Sequence, residues 1–75
     1  MEEIIKKLGK NHKNPCVVWF SNTYEDGYGI YTYKGKVYCI YMGIDYPFGD
    51  IDAKMQPKLI DAILNDKYEV NPSFQ

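Results

Sequence analysis

The sequence predicts an α+β fold: a three-stranded antiparallel meander with an N-terminal and a C-terminal helix packed on one face. Three observations lead there. Seventy-five residues allow one small domain at most. Runs of β-branched and aromatic residues between tight turns fill the middle of the chain. Apolar residues at helical spacing occur at both ends.

Ile4, Ile5 and Leu8 give residues 2–8 one apolar face. Glu2 and Glu3 at the start and Lys6 and Lys7 near the end suit the helix dipole, and Gly9 suits the exit. A polar loop, 10–14, leads to Pro15. Residues 16–24, 28–33 and 36–42 are the expected strands. Glu25-Asp26-Gly27 and Lys34-Gly35 are the expected turns. Residues 43–56 read as irregular, broken by Pro47 and Gly49. Pro57 then opens a helix with Leu59, Ile60, Ile63, Leu64 and Tyr68 as its stripe. The domain is expected over 1–68, with 69–75 a loose tail.

Turn lengths set the expected register. A two-residue turn at Lys34-Gly35 pairs Tyr33 with Lys36, Tyr31 with Tyr38 and Ile30 with Cys39. A three-residue turn before it pairs Tyr24 with Tyr28 and Phe20 with Thr32. One face then holds Cys16, Val18, Phe20, Ile30, Thr32, Val37, Cys39 and Tyr41, aliphatic enough to meet two helices. The other holds Trp19, Tyr31, Tyr33, Tyr38, Ile40 and Met42, with Val17 and Gly29. Slipping either hairpin by one residue exchanges the faces, so the pattern alone leaves open which is inside.

Composition narrows the function. Net charge is −1, and all nine basic residues are lysines. Arginine, the preferred bidentate reader of phosphate and guanine, is missing, and nucleic acid is a disfavoured partner. The α-β-β-β-α order is that of the double-stranded-RNA-binding domain. That family expects a basic cluster opening its second helix, where this chain reads Asp50-Ile-Asp-Ala-Lys-Met-Gln-Pro, so membership is not expected. The longest apolar run, Cys16–Phe20, is too short to cross a membrane. The N-terminus does not read as a signal peptide, so a cytoplasmic location with reduced thiols is expected.

Catalytic and metal chemistry find little support in the spacing. His12 lies close to Cys16 in sequence but has no evident orienting partner. Cys16, Cys39 and His12 match no usual zinc spacing. With the second strand between Cys16 and Cys39, a disulfide is out of reach. Asp45, Asp50 and Asp52 lack the calcium-loop pattern, and Asp50 or Asp52 reads instead as a helix cap. No cofactor or metal is expected.

Two short helices cannot cover both faces of a sheet, so the aromatic face is the functional candidate. Trp and Tyr anchor protein interfaces. The expectation is a non-enzymatic protein-binding module docking through Trp19, Tyr31, Tyr33, Tyr38, Ile40 and Met42. A host protein inhibited or modulated by a phage or mobile-element product fits the small size and the abundance of Lys, Ile, Tyr and Asn, residues with AT-rich codons. A homodimer through the same face is compatible. The alternative is a protein that sequesters a nucleotide-like ring on that face, closed by a second subunit or by the 43–50 loop.

Overall fold

The computed structural model describes residues 2–20 and 27–70. The remaining residues, including the expected Glu25-Asp26 turn, lie outside the described part. Helix α1 spans Glu2–Leu8, and strands β1 to β4 span Cys16–Trp19, Gly27–Tyr33, Lys36–Tyr41 and Ile44–Pro47. A 3₁₀ turn at Phe48–Asp50 leads to helix α2, Gln56–Leu64, and to a two-residue strand β5, Glu69–Val70.

The α+β class holds, but the sheet has five strands rather than three. All pairings are antiparallel, in the order β4-β3-β2-β1-β5. The fourth strand comes from the segment expected to be irregular. Met42 and Gly43 both have positive φ and make a two-residue turn that sets Tyr41 opposite Ile44. Methionine is a poor signal for that conformation. Pro47 ends β4, which is an edge strand and therefore tolerates it. Glu69 and Val70, expected to begin a loose tail, pair with Val17 and Cys16.

The hairpin of β2 and β3 has the register its turn dictates. Lys34 and Gly35 both have positive φ, and Tyr31 faces Tyr38 while Ile30 faces Cys39. The pairing of β1 with β2 differs from expectation: Trp19 lies opposite Gly27, and Cys16 opposite Ile30. Gly27 is a strand residue, and β1 is shorter than expected. The shift is by an even number of positions, so every side chain keeps its face. A physical reason for this register is the glycine itself. A Cβ at Gly27 would lie 2.5–2.9 Å from three atoms of the Trp19 ring, so only glycine lets the indole lie there.

Both helices pack on the face that carries Cys16, Val18, Ile30, Val37 and Cys39. Ile4, Leu59, Ala62 and Ile63 complete that core, with Phe48 from the 3₁₀ turn. In α2, Ala62 takes the buried place expected of Leu64, which is exposed. The helix ends with Asp66 at positive φ, where Lys67 N–H donates to Ala62 O and Asp66 N–H to Ile63 O. Lys7 reaches Asp66 across the two helices at 2.7 Å. Thr32 is the buried polar residue of this face. Its hydroxyl donates to Gly9 O and accepts from His12 N–H, tying the loop after α1 to β2. Among the described residues no helix is long and apolar enough to cross a membrane.

Candidate functional site

The outer face of the sheet, turned away from the helices, carries the expected aromatic residues. Tyr31 and Tyr38 are cross-strand partners, and their rings stack at 5.3 Å with 20° between planes. Asp45 arrives on the same face because the β3–β4 turn sets it opposite Ile40. The Tyr31 hydroxyl donates to Asp45 Oδ2 at 2.6 Å. Burial first, and this carboxylate second, push the Tyr31 pKa well above the ordinary phenol range. The phenol therefore remains a donor and the ring is held in place.

Tyr33 lies at one end of the row and is exposed. Lys13 and Lys34 each place an ammonium 5.2 Å from its ring centre. The loop carrying Lys13 is fixed by Lys34 N–H to Asn11 Oδ1 and Gly35 N–H to Lys10 O, besides the Thr32 bonds. Trp19 is half-buried on Gly27.

Ile40 and Met42 behave differently from the rest of the expected set. Ile40 is only 2% exposed, and Val17 is fully buried, although both are on the face without helices. They flank Gly29 in one row across the sheet. Ile40 is thus part of an inner layer and offers no surface. Met42 is 64% exposed but belongs to the β3–β4 turn, beyond the end of β3.

The groups considered for chemistry do not converge. Cys16 and Cys39 are free, buried in the helix-side core, with Ile30 between them in the register. Burial pushes their thiols up to about 11 and about 12, away from the thiolate a nucleophile requires. Asp45 is spent on Tyr31 on the outer face, whereas Asp50 and Asp52 line a cleft on the other. Asp52 Oδ1 accepts from Lys54 N–H, a turn ahead of α2 rather than a cap of the helix itself. Residues 44–47 lie in the plane of the sheet as β4, so they form no flap over the aromatic face. Rings as close as Tyr31 and Tyr38 leave no slot for a third ring between them.

A second aromatic group has no local signal in the sequence. On the helix side, past the reach of both helices, Tyr28 and Tyr41 stack at 4.4 Å and 6°. Phe20 meets Tyr28 edge-on at 5.8 Å. Tyr28, Tyr41 and Tyr46 with Asp50, Ile51 and Asp52 line a cleft of about 400 Å³. The alternation of Tyr28, Ile30 and Thr32 places Tyr28 on this face. Recognising Tyr46 as its neighbour required β4.

No protein-family model, curated protein or solved structure matches the chain.

Proposed function

We propose that this protein is a non-enzymatic binding module that docks on a protein partner through its outer sheet face and modulates it. The observation that carries this reading is the Tyr31–Tyr38 pair. It is half-buried, stacked, pinned by Asp45, and has none of the helices on its side. Aromatic anchors already fixed in one conformation lose little freedom on binding, which favours affinity. Trp19 and Tyr33 extend the surface along the sheet, and Met42 stands at its β3–β4 end. Lys13 and Lys34 around Tyr33 favour an acidic rim on the partner. A cytoplasmic host protein targeted by a phage or mobile-element product fits the short, arginine-free chain. A twofold dimer through the same face is the form such a surface takes in the absence of that partner.

The test is affinity purification from the cells that make the protein, with wild type and Tyr38→Ala in parallel and native mass spectrometry of each. A stoichiometric protein held by wild type and lost by a variant with an unchanged circular dichroism spectrum supports the reading. A partner held equally by both forms overturns the assignment of the face. A released small molecule without a protein partner overturns the protein-docking function.

A further inference from the structure

We infer that the cleft on the helix side of the sheet is a binding site for a small organic ammonium ion. It faces away from the Tyr31–Tyr38 surface and stands whether or not that surface docks a protein.

Three features of the cleft select this chemistry. Its walls are the half-buried rings of Tyr28, Tyr41 and Tyr46; Tyr28 backs the stack, and the phenols of Tyr41 and Tyr46 add aromatic surface and oxygens attractive to a cation. Its charged groups are carboxylates alone, Asp50 and Asp52, and among the described residues neither is paired with a lysine. Ile51 supplies the apolar patch against which a short alkyl stem can lie. An anion would meet two like charges, and a neutral ring would gain nothing from the two exposed carboxylates. A volume of about 400 Å³ is in the range of small-molecule sites, larger than the tip of one side chain fills.

The cleft is also built rather than incidental. Gln56, at the start of α2, donates through its side-chain amide to Gly49 O and Ile51 O. These bonds fix the segment that presents Asp50, Ile51 and Asp52. Phe48 anchors the same segment in the core. On the opposite wall the Tyr28–Tyr41 stack holds two rings in one orientation. A preformed site loses little binding free energy to ordering.

The test is a titration followed by two-dimensional amide NMR, with n-butylammonium as the probe and n-butanol as its uncharged counterpart. Saturable shifts at Tyr28, Tyr41, Tyr46 and residues 50–52, with butylammonium at least about tenfold tighter than butanol, are expected. Asp50→Asn with Asp52→Asn keeps the shape and the side-chain acceptor for Lys54 N–H. This double variant should lose most of that preference with its spectrum otherwise unchanged. Tyr41→Leu should weaken butylammonium while leaving the carboxylates in place. The inference is overturned by absent shifts up to about 50 mM butylammonium, a weak limit even for a ligand of this size. Equal binding of butanol, or full affinity in the Asn double variant, overturns it as well.

Discussion

The two faces of the central sheet are closed by different means. The helix side is covered conventionally, with aliphatic side chains of α1 and α2 set on Cys16, Ile30 and Cys39. Among the described residues no helix lies on the outer side, yet Val17 and Ile40 are as buried as the core. In the rows on either side of them, the Trp19 ring lies against Gly27 and Tyr31 stacks on Tyr38. The difference teaches that glycine opposite a large aromatic residue can lay a ring over a sheet face on which, among the described residues, no helix packs. Such a face buries its aliphatic row and leaves its rings half-exposed. At its far end the helix side shows the converse, where the helices stop and tyrosines are left to line a cleft.

Truncation in each layer gives the sharpest test of this contrast. Leu59→Ala on the helix side should cost about 2–5 kcal/mol, a large part of the stability of a domain this small. Ile40→Ala on the outer side should cost in the same range, because Ile40 is equally closed to solvent. Urea unfolding of both variants measures this. A loss below about 1 kcal/mol for Ile40→Ala would show that burial on the outer side contributes little, and would return Ile40 to the docking surface.

Gly27→Ala probes the closure device itself. The added methyl must displace the Trp19 ring, since no rotamer of alanine avoids a Cβ at 2.5 Å from it. A loss of about 1–3 kcal/mol and a changed Trp19 fluorescence maximum are expected. An unchanged maximum would mean that the indole is not held by this contact. Alanine at Gly49 meets nothing within 4 Å and serves as the control.

How far the sequence reveals this arrangement follows from where its signals are local. The Lys34-Gly35 turn is a two-residue hairpin with glycine, so the β2–β3 register and the facing of Tyr31 and Tyr38 are legible. The sorting of Cys16, Ile30 and Cys39 to the helix side follows from strand alternation. The β3–β4 turn is hidden because methionine occupies a left-handed position, and with it go β4, Asp45 beside Tyr31, and Tyr46 in the cleft. Two-residue β5 has no periodicity to read and exists only by pairing with β1. The burial of Ile40 is equally non-local, since it depends on what surrounds Gly29 on neighbouring strands.

Both faces keep weak acids neutral, and this makes stability fall in alkali. Cys16 and Cys39 rise from the usual thiol value of 9.0 to about 11 and about 12, through burial. Tyr31 on the outer side rises from 10.0, through burial and Asp45. For a raised pKa the folded state holds its proton after the unfolded chain has released it. Stability is therefore complete below the unfolded value and is lost as pH climbs towards the folded one. Urea midpoints should decline from about pH 9 upward, with Tyr31 adding to the decline above about pH 10. Cys39→Val should flatten the first part and Tyr31→Phe the second. Identical pH profiles in the variants and wild type would show that these groups do not carry the effect.

The smallest expected effect is at the turn that connects the outer face to the cleft. Met42 has φ of 53° and is mostly exposed, so its side chain contributes little packing while its Cβ strains the backbone. Asparagine tolerates this conformation better, and Met42→Asn should stabilise the fold by about 0.5–1 kcal/mol. The gain comes from the turn alone and should leave Ile40 and the Tyr31–Tyr38 stack untouched. A rise in the urea midpoint together with weaker partner binding would show that Met42 is kept, at some cost to the hairpin, for the contact it makes. A rise with binding unchanged would confine docking to Trp19, Tyr31, Tyr33 and Tyr38. Any fall in stability would mean that the exposed thioether packs on the outer face, and that the outer layer extends past the end of β3.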